Sequence, residues 1–218
     1  MHNYDVLIAT PGHSMHSDYV KSLTETIAHL NEKNITWKWL TGYSSLVHHA
    51  REVLMSGDNT MNGDDRGPLH DKVTYKKMIW IDSDISWKVE DFMKLYDSEH
   101  DIVSGAYLLA NGDTCVAQNK QFPGGIPKRV VNSMKGTVEI ESSGFGFIAV
   151  KCGVFEKIQR PWFGHLIQVL KNSRGEDIYD AIGEDVSWCI KAKQAGFKIY
   201  FDSSVRVNHL KTIPIDWR

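Results

Sequence analysis

Through the first half of the chain, short apolar runs alternate with stretches of helical spacing. The run YDVLIAT (4–10), stopped by Pro11-Gly12, predicts a strand, and residues 17–32 predict a helix with Leu23, Ile27 and Leu30 at i, i+4 and i+7. ITWKWL (35–40) alternates as a strand does. A second helix is predicted at 45–56, where Leu46, Ala50, Val53 and Leu54 share a face, and KKMIWI (76–81) predicts a third strand. This βαβαβ order implies an α/β fold, a mainly parallel sheet with helices on its faces.

The segment between the second helix and the third strand, SGDNTMNGDDRGPLHDK (56–72), has almost no apolar periodicity. Its length and its Gly, Asp and Asn content predict a long loop, either functional or disordered, and suggest a mobile segment that orders when a ligand binds. Beyond it the pattern gives a helix at 88–98, a strand at 101–109 and an irregular stretch at 110–136 with the turn cluster FPGGIPK. Strands follow at 137–142 and 145–151, then a short helix at 152–158 and an irregular stretch at 159–182. A helix at 183–195 ends at Gly196, and strands close the pattern at 198–201 and 204–208. Trp80 and Phe147 fall in strand patterns and read as core residues.

With 218 residues and 42% hydrophobic content, the chain can bury a sizeable core as a single unit. Its formal charge of −2 gives no overall basic field for nucleic acid. Three cysteines without CxxC spacing suggest buried reduced thiols in place of a disulfide framework or zinc site. The start MHNYDVLIATPG lacks the charged and long apolar regions of a signal peptide, and no stretch approaches the roughly 20 apolar residues of a membrane-spanning helix. A soluble, cytoplasmic protein without a transmembrane segment is therefore expected.

The chemistry concentrates in three places. IWIDSDISW (79–87) drives an apolar strand straight into Asp82-Ser83-Asp84. In open parallel sheets ligands gather at the carboxyl ends of strands, so two carboxylates delivered there can face a cation, and hard cations such as Mg²⁺ or Mn²⁺ favour such oxygens together with substrate phosphates. Gly183-Glu184-Asp185 opens a helix, where acidic residues suit the dipole but also offer a general base. His209 follows the alternating SVRVN and would add an imidazole ligand, a mixed set that suits Mn²⁺ better than Mg²⁺.

Taken in order, these segments resemble a nucleotide-sugar glycosyltransferase of the GT-A fold, similar to glycosyltransferase family 2 and to small stand-alone viral and bacterial members. VLIATPG resembles the first nucleotide-binding strand and loop, SSLVHHAREVLMSG the helix with an arginine facing the nucleotide, and MIWIDSDISWKVEDFMKL the D-x-D strand and its helix. DIVSGAYL, SSGFGFIAVKCGVFEKI and GEDVSWCIKAKQAGFKIYFDSSVRVNHL resemble the acceptor-side segments, the acidic helix start and the metal-binding histidine.

The resemblance implies a single domain over 1–218, with a nucleotide-binding half (1–109) and an acceptor-binding half (110–218). It implies Mn²⁺ or Mg²⁺ as cofactor, a nucleotide-diphosphate sugar, most commonly a UDP-sugar, as donor, and a hydroxyl on a glycan or related molecule as acceptor. Thr10 and Pro11 would border the base, Arg51 would contact base or phosphate, and Asp82 and Ser83 would lie against the ribose or sugar. Asp84, His209 and Asp82 would serve the metal, Asp185 would be the base with Glu184 beside it, and Gly144 and Gly146 would line the sugar or acceptor pocket. Many relatives place asparagine after the helix arginine, whereas here Glu52 follows Arg51. Two other readings compete: a sugar-phosphate nucleotidylyltransferase, although TPGHSMHSD has one glycine and no Lys or Arg where that class has a glycine-rich basic loop, and a non-catalytic carbohydrate-binding protein.

Overall fold

The apolar runs lie side by side in a seven-stranded sheet. The computed structural model describes residues 2–56, 67–117, 126 and 128–211. In chain order they form β1 (His2–Pro11), α1 (Ser17–Glu32), β2 (Trp37–Gly42), α2 (Val47–Ser56), β3 (Val73–Ile81), β4 (Ile85–Ser86), α3 (Val89–Asp97) and β5 (Ile102–Ala106). There follow β6 (Val116–Ala117), α4 (Lys128–Ser133), β7 (Thr137–Ile140), β8 (Ser142–Ser143), β9 (Phe147–Lys151), β10 (Ile167–Lys171), β11 (Asp177–Ala181), α5 (Glu184–Gln194), β12 (Ile199–Arg206) and β13 (Asn208–His209).

The sheet order is β2-β1-β3-β9-β5-β12-β7. β1 is parallel to β2 and β3, and β12 is parallel to β5, whereas β9 runs antiparallel to β3 and β5, and β7 antiparallel to β12. Five strands therefore finish at one edge of the sheet, which is where the predicted site residues emerge. β9 begins at that same edge, since Ile81 at the end of β3 pairs with Phe147.

The central strands β1, β3 and β9 carry unbroken apolar runs because both faces are covered there. Along β3, Met78 and Trp80 join the core on one face while Ile79 and Ile81 join the core on the other. Helices α1 and α3 close the second face through Tyr19, Leu23, Leu30, Phe92 and Leu95; α2 and α5 close the first through Leu54, Met55, Trp188 and Cys189. Trp80 and Phe147 are fully buried, as their place in strand patterns predicts. Helix α1 starts where the His16 side chain accepts from the Asp18 backbone N–H (3.2 Å), and ends before Asn34, which takes the left-handed backbone (φ 54°) that asparagine tolerates.

Several expectations are revised by tertiary packing. Leu46 is 55% exposed, and α2 instead buries Arg51 and Glu52 beside Ala50 and Leu54. The stretch 152–158 yields only a 3₁₀ turn at Phe155–Lys157, while the stretch read as irregular at 110–136 contains β6 and α4. The stretch 159–182 contains an exposed antiparallel hairpin of β10 and β11. The two closing strands merge into β12, with a register shift between Phe201 and Arg206. Most of the loop predicted at 56–72, residues 57–66, lies outside the described residues.

One charge is buried inside the framework. Lys77, on β3, is 4% exposed, and its ammonium donates to the carbonyls of Leu95 (2.8 Å), Tyr96 (2.7 Å) and Ser98 at the end of α3. A cation there meets both the orphan carbonyls and the negative end of the helix dipole. Lys77→Met should cost about 2 kcal/mol by leaving those carbonyls without donors. Chemical denaturation checks this, with a fall in midpoint and an unchanged m-value expected.

Candidate functional site

The site begins with α2, whose Arg51 side chain is 3% exposed. Its Nη2 donates to Asp82 Oδ1 (2.8 Å) and its Nη1 to Glu184 Oε1. The guanidinium carbon also stands 5.5 Å from the ring centre of Phe145. One planar cation thus joins the end of β3 to the first turn of α5. Burial costs Arg51 part of its charge stability, but Asp82 and Glu184 outweigh that and hold its pKa above the usual value. Its Nε has no hydrogen-bond partner among the described residues, so the two carboxylates carry most of the compensation, with the charge of Asp185 adding to it.

The next residue explains the departure from the asparagine of the resemblance. Glu52 is 4% exposed and its two carboxylate oxygens accept from the backbone N–H groups of Trp162 (3.2 Å) and Phe163 (3.0 Å). Trp162 and Phe163 belong to the aromatic core around Trp80, Phe145, Phe155 and Trp188. A second brace lies one turn earlier on α2, where His48 Nδ1 meets His165 Nε2 (3.2 Å) and His165 Nδ1 donates to the Ile182 carbonyl (2.8 Å).

The loop after β3 holds its own geometry. Asp82 N–H donates to the Gly146 carbonyl (3.1 Å), Ile85 N–H to the Asp82 carbonyl (3.0 Å), and Leu210 N–H to the Asp84 carbonyl (2.7 Å). Ser83 packs so near Gly12 that a Cβ on that glycine would stand 2.5 Å from Ser83 Oγ. The short pairing of β13 with β4 sets His209 opposite Ile85, and this brings His209 to Asp84.

His209 Nδ1 lies 2.7 Å from the Leu108 carbonyl, which can only accept, so Nδ1 carries the proton. A neutral imidazole then turns the Nε2 lone pair toward Asp84 Oδ2, 3.1 Å away. Two electron pairs facing each other at this distance favour a nearby cation, and the ammonium of Lys211 stands 2.7 Å from the same Asp84 oxygen. The backbone carbonyl that orients the ring is the partner usual behind metal-bound histidine. Asp84 and His209 therefore fit a hard divalent cation. Among the described residues no group of three or more His, Cys, Asp or Glu side chains forms a ligand set.

Asp185 is half-buried in the first turn of α5, and its Oδ1 accepts from the Val186 N–H (2.7 Å). Burial, then the neighbouring Glu184, push its carboxyl above the ordinary aspartate range. Glu184 is occupied by Arg51, whereas Asp185 has no ion-pair partner among the described residues and its raised proton affinity marks it as the candidate base.

Other predicted positions take different parts. Thr10 is fully buried, its hydroxyl shared between Tyr19 and the indole N–H of Trp39 (3.0 Å), so its side chain serves that network and does not face the edge. Pro11 ends β1 and is buried. Gly144 and Gly146 are buried beneath Tyr107: a Cβ on Gly146 would lie 2.8 Å from the ring, and one on Gly144 would collide with the phenol oxygen. Their lack of a side chain seats Tyr107, whose ring in turn meets His209 edge-on at 5.1 Å. Arg51, predicted to touch base or phosphate, is consumed by carboxylates instead.

Sequence reasoning missed Tyr107, Lys211 and Tyr43, while His13, after Pro11-Gly12, is a residue the sequence offers for the crevice. The rings of His13 and Tyr43 pack edge-on at 4.8 Å beyond β1 and β2, and Tyr43 is 59% exposed. Position just past a parallel strand, the signal that singled out Asp82, applies equally to Tyr43 and Tyr107. Lys211 Nζ lies 2.7 Å from Asp84 Oδ2. No spacing rule points to it.

Arg51→Met should cost about 3–5 kcal/mol in denaturation experiments, because it strands two carboxylates. Glu52→Gln should cost less, about 1–2 kcal/mol, since the amide keeps one acceptor oxygen.

Comparison by sequence finds neither a matching family model nor a matching curated protein. Comparison by structure does find likenesses. A197 from STIV superposes with a TM-score of 0.56 at 18% identity, covering 98% of each chain. GalNAc-T7, in a structure with UDP, GalNAc and Mn²⁺, gives 0.58 at 13% identity over 96% of this chain and 44% of that one. The catalytic domain of Drosophila β1,4-galactosyltransferase 7, in complex with xylobiose, gives 0.51 at 11% identity over 97% and 72%. The chain thus has the GT-A fold of glycosyltransferase catalytic domains, a mixed, mainly parallel sheet flanked by helices.

Proposed function

We propose that this protein is a metal-dependent glycosyltransferase that moves a sugar from a nucleotide-diphosphate sugar, most commonly a UDP-sugar, to a hydroxyl acceptor on a glycan. The observation that carries this reading is the meeting of Asp84 with His209 at the carboxyl edge of the sheet, beside the Asp82–Arg51–Glu184 bridge. The GT-A fold supports it, as does the Mn²⁺ and UDP of the GalNAc-T7 likeness.

Asp84 and His209 would hold Mn²⁺ or Mg²⁺, with the donor diphosphate completing the coordination. Bound there, the cation would supply the positive charge needed as the sugar–phosphate bond breaks. The rest is the work of the chain. Tyr43 and His13 offer the base an exposed aromatic rim beyond β1 and β2. Arg51 holds Asp82 in one orientation, so that this carboxylate can meet the ribose or sugar with little rearrangement. Asp185 would take the proton from the attacking hydroxyl, and its raised proton affinity suits that task better than an ordinary surface aspartate. For a retaining enzyme Asp185 would have a different part, so its role as base belongs to the inverting form of this proposal.

Calorimetry with UDP, GDP, CDP and dTDP, each with and without Mn²⁺, tests the reading. One diphosphate is expected to bind strongly only with metal, and Asp84→Ala should abolish that dependence. Binding of all four without metal, or no binding of any of them with or without Mn²⁺, would overturn it. Hydrolysis of the donor in the presence of Mn²⁺ separates an enzyme from a carbohydrate-binding protein.

Asp185→Asn should lower kcat by a hundredfold or more with donor affinity kept, in the range by which general bases contribute. In the wild type, activity should fall as the pH drops through the raised Asp185 value, because protonation removes the base. The acid limb of kcat/KM should therefore lie above the position set by the ordinary aspartate value of 3.8.

A further inference from the structure

Asp84 already carries a cation supplied by the chain. The same oxygen, Oδ2, receives Lys211 Nζ at 2.7 Å and faces His209 Nε2 at 3.1 Å. An ion coordinated by Asp84 and His209 would have to enter the space that the ammonium shares with the imidazole. The lysine is well suited to give way, since its side chain is 55% exposed and Asp84 is its one partner among the described residues. Such half-exposed pairs contribute little and exchange readily. Lys211 also follows His209 by two residues, so an ammonium that leaves Asp84 remains beside anything that the metal bridges.

We propose that Lys211 is a counter-ion that exchanges between Asp84 and the donor diphosphate. Without ligand it neutralises Asp84 in the metal's stead. When metal and diphosphate arrive together, the ion takes Asp84 and the released ammonium takes a phosphate oxygen. The charges then balance in both states, with one lysine serving two anions in turn. Metal and diphosphate consequently bind with mutual strengthening, because each removes what opposes the other: the diphosphate draws off the lysine that competes with the ion, and the ion frees the lysine for the diphosphate. This deepens the glycosyltransferase reading and rests on it.

The loop order of the site accords with exchange by the side chain alone. The Leu210 N–H, next to the lysine, is fixed on the Asp84 carbonyl at 2.7 Å, and His209 is fixed on Leu108. The backbone is thereby pinned up to Leu210, while the ammonium stands at the end of four flexible methylenes.

The test is Mn²⁺ binding followed by electron paramagnetic resonance of the free ion, in the wild type, Lys211→Ala and Lys211→Met, first without nucleotide and then with UDP or whichever diphosphate the wild type prefers. Lys211→Ala and Lys211→Met should each tighten binding of Mn²⁺ alone by about two- to fivefold, the range of a half-exposed ion pair. Both should weaken the diphosphate's affinity in the presence of Mn²⁺, so that the mutual strengthening of metal and diphosphate shrinks. Lys211→Arg should keep that strengthening in part. Mn²⁺ alone binding the Ala and Met variants no more tightly than the wild type would overturn the exchange while leaving the metal site standing. Absence of Mn²⁺ binding in the wild type even with diphosphate would overturn the exchange and the glycosyltransferase reading together.

Discussion

The arrangement at the sheet's edge depends on a buried arginine between two carboxylates. Asp82 ends a strand and Glu184 begins a helix more than a hundred residues away, and Arg51, on a third element, binds both. A guanidinium suits this task because its planar fork presents separate donors to separate oxygens, while an ammonium is a single point. Burial makes the arrangement selective: with the cation almost fully out of water, either carboxylate leaving its place would strand a charge. The acidic loop and the acidic helix start are therefore held as one unit, and the adjoining residues, Asp84 and Asp185, inherit fixed positions.

The neighbouring Glu52 extends the same logic toward the aromatic core beneath α5. Acidic and basic residues adjacent in one helix point to different surroundings, Arg51 to the edge of the sheet and Glu52 to the backbone of Trp162 and Phe163. Helix α2 thus acts as a bracket with two arms. One arm fixes the charges, and the other fixes the aromatic layer under α5, where Phe145 touches Trp80, Phe163 and Trp188. In the glycosyltransferase reading, rigidity in this layer matters for chemistry, since reacting groups must be held to within a fraction of an ångström.

Around this rigid bracket the charges differ in character. Asp82 and Glu184 are occupied by Arg51, Asp185 is pushed toward its protonated form, and Asp84 is half-exposed with an imidazole and an ammonium on one oxygen. Four carboxylates within a few residues of two sequence motifs thus have three distinct environments. In the glycosyltransferase reading, that separation is what allows one of them to take a metal while another takes a proton.

The sequence by itself determined the parallel part of the sheet and which polar residues stand at its carboxyl edge. Apolar runs of strand length, buried on both faces, and intervening helical periodicity fix the βαβαβ order, because these periods follow from backbone geometry alone. The carboxylates of Asp82 and Asp84, the acidic start of α5 and His209 were legible for the same reason: each stands where a regular element begins or ends. What only the tertiary structure decided was which groups pair. Arg51 and Glu52 look like the exposed face of an amphipathic helix, and nothing local says that their partners lie 133 and 110 residues away. The glycines at 144 and 146 look like a pocket lining, yet they are spaces for Tyr107, which arrives from another strand. Pairing across such separations is set by the packing of the whole core, and local spacing carries no record of it.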